Sequence, residues 1–341
     1  MPRKTKKNFI TSPELIAQIN PENKQLIDDY ISYLRSIQRS ETTIGAYMND
    51  LHIAFVWNIQ FNGNKPFIEW TKRNVVAYQN WLLNNNENSP ARVKRLKASL
   101  SSLSNYICNV LDDEYPNFRN IINKVESPVN TPVREKSVFT EEQIDGLLDK
   151  LVENKMYDKA CALALALYSG RRKSELLRFK VSDFDDNHLT CEGALYKSDP
   201  IKTKGRGVHG KMLECFCLAK KFKPYFDMWM AAREASGIES EWLFPNPGNP
   251  NEQMRVSTLN NWAIIFSRYL GMDFYWHSMR HMTVTNFKRF GIPDTVIQSY
   301  IGWADLSMVT VYSDLKADEQ LSMYFNADGM VKPEAKSLAD M

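Results

Sequence analysis

No stretch of this chain approaches the about 18 uninterrupted apolar residues that a spanning helix needs. Its longest apolar run, Ala160–Tyr168, stops at Ser169-Gly170-Arg171-Arg172, so no membrane is expected as a partner. Cysteine is scarce and unpatterned: Cys108, Cys161, Cys191, Cys215 and Cys217 are odd in number and lack C-x-x-C spacing. That excludes a disulfide framework or zinc ribbon and implies reduced thiols in a cytoplasmic protein. The basic start Met-Pro-Arg-Lys-Thr-Lys-Lys has no apolar segment behind it, as a secretory signal would. There is no P-loop, no G-x-G-x-x-G after a strand, no H-E-x-x-H and no EF-hand loop. His277 and His281 stand four apart, but Ser-Met-Arg between them offers no acid and places the cation Arg280 at the centre. A metal is not expected there. With no nucleotide or metal cofactor in view, any chemistry has to run on side chains alone.

The composition, 43% hydrophobic and 24% charged over 341 residues, is that of an ordinary globular chain. At about 100–200 residues per domain it predicts two domains. The net charge of +3 is mild, but it is unevenly spread, about +4 over residues 1–130 and −1 over the rest. It gathers in four blocks: Arg3 to Lys7; Arg92, Lys94, Arg95 and Lys97; Arg171 to Lys173; and Lys202, Lys204, Arg206 and Lys211. One such block is ordinarily a solvated face. Four point to a polyanion.

The first third reads as helices. Asn20-Pro21 and Ser89-Pro90 each combine a capping side chain with proline at the first helical position. Ser40 caps a helix through Phe55, and another runs from near Thr71 to Leu83. After Ser89, the residues Val93, Leu96, Leu100, Leu103, Ile107 and Val110 form one apolar stripe, opposite Lys94, Arg95, Ser101, Ser102 and Asn105. That second face suits phosphate contacts or plain water. Residues 127–137, polar with two prolines, read as a linker, and Thr140-Glu-Glu-Gln143 opens the next domain as a capping box. Within it, residues 188–192, 193–196 and 209–216 read as short strands around a glycine-rich turn, and 245–250 as a loop. The domains are therefore a basic arm (1–19), a helical unit (20–126), the linker, a mixed unit (138–327) and a tail (328–341).

In the second unit Gly170-Arg171-Arg172-Lys173-Ser174-Glu175-Leu176 is followed by His277-Ser278-Met279-Arg280, then Gly302-Trp303, then Tyr312 nine residues on. Together with a lysine on an intervening β-turn, this ordered set resembles the catalytic domain of the tyrosine recombinases, or phage-type integrases, over roughly residues 137–327. The helical region is similar to the core-binding domain of that family. The resemblance implies a mainly α fold with a small antiparallel β-sheet in the C-terminal domain. It implies a site-specific DNA recombinase working through a 3′-phosphotyrosine, on double-stranded DNA with a specific recombination site. It also implies a homo-oligomer, four protomers on two sites, with no cofactor. Other outcomes of such a site are a type IB topoisomerase-like or telomere-resolving strand transferase, or a silent DNA-binding relative.

On that resemblance Tyr312 is the nucleophile. Arg172 and Arg280 are the guanidinium forks that neutralise the five-coordinate phosphorus, and His277 is a proton acceptor or phosphate donor. Trp303, where many relatives have histidine and the Cre-like branch tryptophan, either offers its indole N–H or serves as core. Glu175 and His281 are expected to support these groups, and Arg171 to lie at the surface or position a phosphate. Lys202 is the expected acid for the leaving 5′-oxygen, with Lys204 and then His209 as rivals. Arg92, Lys94, Arg95, Lys97, Lys204 and Arg206 are expected to touch DNA. Residues 318–326, with Leu321, Met323, Tyr324 and Phe325, either pack on their own domain or, as the resemblance implies, dock on a neighbouring protomer.

Overall fold

Helix starts in the structure, a computed structural model, fall where proline meets a capping side chain. It describes residues 10–129, 138–203, 210–315, 317–322, 325–326 and 329–330. These fall into two compact units, divided at the linker. The basic arm Arg3–Lys7, Lys204, Arg206, His209, Met323 and Tyr324 lie outside the described residues.

The first unit contains helices α1 (Pro13–Ala17), α2 (Pro21–Ser36), α3 (Glu41–Phe61), α4 (Lys72–Asn80) and α5 (Pro90–Val110). Asn20 Oδ1 accepts the Glu22 N–H at 2.9 Å and Ser89 Oγ the Arg92 N–H at 3.3 Å, satisfying helix-start donors as expected. Val93, Leu96, Leu100, Leu103 and Ile107 are wholly buried against Tyr30, Phe55 and Tyr78. Val110, assigned to the same stripe, is 44% exposed, because α5 outruns the core there. The helix expected through Leu83 changes pitch: α4 ends at Asn80, and Trp81–Asn85 forms a π-helical turn. The wider turn keeps Leu82 buried while Trp81 stacks on Tyr78, ring centroids 6.3 Å apart. The arm also ends earlier than residue 19. Ser12 caps α1, and Ile19, 2% exposed, belongs to the core.

The polar face of α5 is corrected in part. Lys97 is 3% exposed, and its ammonium donates to Gln79 Oε1 and the Val125 carbonyl, both at 2.7 Å. It ties the chain after the short 3₁₀ turn Ile122–Lys124 onto the helix, so it is not a phosphate contact. Its sequence neighbour Leu96 and the position four back, Val93, both face inward, which carries Lys97 in with them. Ser101 is bound to Asn123 Oδ1 and Ser102 to the Tyr30 hydroxyl, each at 2.7 Å. Arg92 and Arg95 both reach the buried Asp50, at 2.9 and 3.2 Å, yet keep exposed surface, and Lys94 is exposed. Lys97→Met is therefore expected to leave the salt dependence of DNA binding unchanged while lowering Tm. Loss of a phosphate contact would instead flatten log K against log salt by about 1.

The second unit holds α6 (Glu141–Glu153), α7 (Tyr157–Ser169), α8 (Lys173–Leu176), strands β1 (Leu189–Thr190), β2 (Leu195–Lys197), β3 (Ile201–Lys202), β4 (Met212–Leu213) and β5 (Phe216–Leu218), then α9 (Ala219–Ala235). Strands β6 (Pro245–Asn246) and β7 (Asn249–Gln253) precede α10 (Val256–Leu270), α11 (Trp276–Arg289), α12 (Asp294–Ile301), α13 (Ser307–Tyr312), α14 (Ala317–Ser322), β8 (Phe325–Asn326) and β9 (Gly329–Met330). The fold is thus mainly α with small antiparallel sheets. The expected capping box at Thr140 is present. Apolar all round, α7 is the buried central helix, with every residue from Ala160 to Leu167 in the core. It packs on α9 and α11.

One sheet has the order β1-β2-β5, registering Tyr196 with Cys217, while β3 and β4 pair separately, Ile201 with Leu213. The strand expected over 209–216 is split because Ser198 takes the Cys215 N–H on its Oγ at 3.0 Å and breaks the ladder. The strand expected over 188–192 is cut to two residues, since Cys191 and Glu192 take positive φ in the turn to β2. The predicted loop at 245–250 is a hairpin, β6–β7. The β8–β9 ladder joins residues on both sides of the domain end placed at 327.

Candidate active site

Gly170 ends α7 in the left-handed region at φ 61°, where a Cβ would meet Ile301 Cδ1 at 2.6 Å. Glycine is required there on both counts. The turn releases Arg171 and Arg172 in opposite directions. Arg171 is 1% exposed and donates to the carbonyls of Ser169, at 3.3 Å, and of Tyr300, at the end of α12. The expectation of a surface or phosphate-positioning residue is corrected: burial and two carbonyl acceptors make Arg171 a brace.

Arg172 caps α8 and remains partly exposed. Its Nη1 donates to Glu175 Oε1 at 2.8 Å, and its backbone N–H to Oε2 at 3.0 Å. Burial opposes the Glu175 charge, but these two hydrogen bonds and the Arg172 and Arg171 charges outweigh it. They hold the carboxyl below its usual range. The other Glu175 oxygen lies 3.9 Å from Arg280 Nη1, so one buried carboxylate serves both arginines.

Arg280, on α11, is 1% exposed. Burial first, then Arg172 and Arg171, pull its pKa down to about 10, still charged near neutrality. The guanidinium lies over the rings of Trp303, 4.9 Å, and Tyr312, 5.4 Å. Its Nε and Nη1 and the Trp303 Nε1 are buried without a hydrogen-bond partner. Such donors cost about 1–3 kcal/mol each when left unmet, so they imply an absent acceptor. Tyr312, buried at the end of α13, brings its hydroxyl 2.9 Å from His277 Nε2. Burial, then His281, Arg280 and Arg172, lower the His277 pKa to about 4, so its imidazole is neutral at pH 7, able to hydrogen-bond the phenol but a weaker base than a free histidine. The His281 ring lies 4.6 Å from that of Tyr312, tilted by 31°.

The structure thus gathers Arg172, Glu175, His277, Arg280, His281, Trp303 and Tyr312. Lys202 is placed differently: it is exposed on β3, its carbonyl accepting from Arg178, and it lines a cavity of about 800 Å³ with Arg178, Trp242 and Arg255. The partner strand β4 is what touches the site. Leu213 Cδ1 would lie 2.9 Å from a Cβ on Gly302, and Lys211 Nζ donates to the Gly302 carbonyl at 3.4 Å. Sequence reasoning counted Lys211 among the basic residues without seeing this approach; its place opposite β3 in a hairpin was the available signal.

A fold of two such units and a site of paired guanidiniums around a tyrosine define a strand transferase acting on phosphodiesters. The phage integrase family model matches residues 137–319, and its N-terminal SAM-like domain model residues 26–117. The chain belongs to the phage integrase family; it is a tyrosine recombinase, an enzyme of site-specific recombination that cleaves and rejoins DNA strands. Among its relatives, the SPbeta prophage-derived recombinase-like protein YomM of Bacillus subtilis strain 168 is 29% identical over 73% of this chain and 72% of its own length. The tyrosine recombinase XerD of Vibrio cholerae serotype O1 is 24% identical, covering 84% of this chain and 90% of that protein. The fold is shared with the XerH site-specific recombinase in its post-cleavage complex with a palindromic difH substrate. That likeness has a TM-score of 0.63 at 16% identity, over 88% of this chain and 83% of that one. Among the described residues no helix is long and apolar enough to cross a membrane.

Proposed function

We propose that Tyr312 attacks a DNA phosphodiester, giving a 3′-phosphotyrosine and a free 5′-hydroxyl. The observation that carries this reading is the set of buried donors without acceptors, Arg280 Nε and Nη1 and Trp303 Nε1, beside a tyrosine hydroxyl bonded to a neutral histidine. His277 Nε2 takes the phenolic proton as the oxygen closes on phosphorus. Arg172, Arg280 and the Trp303 indole then face the two non-bridging oxygens as their charge grows. Glu175 keeps the two guanidiniums apart and oriented. The reverse attack by a 5′-hydroxyl releases Tyr312, so the bond energy is conserved and no nucleotide is consumed.

The exchange is read as metal-independent, the work of four protomers on two sites, carried out in the cytoplasm. Arg92, Lys94 and Arg95 of the helical unit track phosphates, and residues beyond Tyr312, including the exposed Leu321, dock on a neighbouring protomer. A plasmid bearing two recombination sites is expected to recombine in excess EDTA. Relaxation without recombination would favour the topoisomerase-like reading, and binding alone the silent one. Restoration of an EDTA-blocked reaction by a divalent ion would overturn the mechanism.

The departing 5′-oxygen needs a proton, worth about 10²–10⁴ in rate. Lys202 is read as its source, with Lys204 the rival on the same turn. The approach of Lys211 to Gly302 favours a second reading, in which that ammonium does the work. A substrate with sulfur in place of the bridging 5′-oxygen leaves without a proton. Cleavage lost in Lys202→Ala is expected to return on it; recovery in Lys211→Ala instead would move the assignment across the hairpin.

A further inference from the structure

His277, His281 and Thr285 recur at intervals of four and share one face of α11. Each meets the segment that carries Tyr312. His277 holds the hydroxyl at 2.9 Å. His281 lies along the ring, tilted by 31°. Thr285 Oγ1 accepts the backbone N–H of Asp314 at 3.0 Å. The Asp314 carboxylate turns back to His281, Oδ2 standing 3.4 Å from Nδ1, with the two side chains only 13% and 16% exposed.

We propose that His281 and Asp314 are a positioning pair that sets where the Tyr312 oxygen lies relative to the scissile phosphate. The proposal rests on the reading of Tyr312 as nucleophile. The segment needs such a device. Helix α13 has six residues, too few to be rigid on its own account. Beyond Tyr312 the backbone leaves the helix: Ser313 is extended. Val311 beside the nucleophile is 57% exposed and gives no anchorage. Asp314 is bonded to α11 through its backbone N–H, and its carboxylate comes within ion-pair distance of His281. His281 relays that grip to the phenol, because its Nδ1 edge stands within ion-pair distance of the carboxylate and its ring lies along Tyr312. A displacement of about 1 Å at the attacking oxygen costs about 10²-fold in rate. The pair therefore acts on the nucleophile and not on the phosphate pocket, whose donors come from Arg172, Arg280 and Trp303.

Single-turnover cleavage of a nicked suicide substrate separates these roles. His281→Asn and Asp314→Asn are each expected to slow formation of the covalent adduct about 10- to 100-fold, with DNA affinity and Tm close to wild type. The double variant should be no slower than the slower single, since either change opens the same clamp. In a Tyr312→Phe background, hydroperoxide supplied from solution replaces the phenol as nucleophile. Strand scission by hydroperoxide is expected to be unaffected by either change. Unaltered adduct formation in the single variants, additive losses in the double, or a parallel fall in hydroperoxide scission would overturn the pair's role. An adduct in Tyr312→Phe would instead refute the nucleophile itself, so the two failures are distinct.

Discussion

Tyr312→Phe is expected to bind DNA with unchanged affinity and to form no SDS-resistant protein–DNA adduct on a nicked suicide substrate. The ring keeps its neighbours Trp303, 4.8 Å away, and His281, 4.6 Å away, and only the hydroxyl bonded to His277 is removed. Loss of a nucleophile is not shared out among its neighbours, so the rate should fall by about 10⁴-fold or more. Tm should move by no more than a few degrees, because the packing of the phenyl ring is retained. Persistence of the adduct would reassign the attacking residue.

Arg280→Met should separate stability from chemistry. The guanidinium is 1% exposed, with the Glu175 carboxylate 3.9 Å from Nη1 and no protein hydrogen bond to Nε or Nη1, an arrangement that costs folding free energy. A side chain of similar length without charge relieves that cost, and Glu175 keeps its partner in Arg172. Tm is therefore expected to rise by about 2–6 °C. Cleavage should fall by about 10³-fold, since two donors aimed at the growing charge are lost. Scanning calorimetry and single-turnover cleavage on one preparation read both. A lower Tm with the same loss of rate would mean that Arg280 holds the fold as well as the phosphate.

The site was legible because its members are rare residue types at fixed spacing within motifs, and spacing within a helix or turn is preserved in folding. Arg172, His277, Arg280 and Tyr312 all come together in space as their order implied. What a linear pattern does not carry is the pairing of distant segments. Asp314 acquires meaning only once α13 lies beside α11, and Lys211 only once β4 lies against Gly302. Arg171 was misjudged for a related reason: its neighbour carries the motif, and no local signal says that a left-handed glycine turns one arginine inward and the next outward. Lys97 was within reach. Four residues after Val93 and three before Leu100, it sits on the apolar stripe, and a charge there has to find buried acceptors.

Arg171 has a consequence for how the site performs. The ends of α7 and α12, the first leading into Arg172 and the second into Trp303, present their carbonyls to one buried guanidinium. Two negative helix termini are thereby joined through a single cation. In the proposed reaction, Arg172 and Trp303 would consequently hold their places before DNA arrives. On that reading little dipolar reorganisation would be left for the moment of scission, the arrangement having been set in folding.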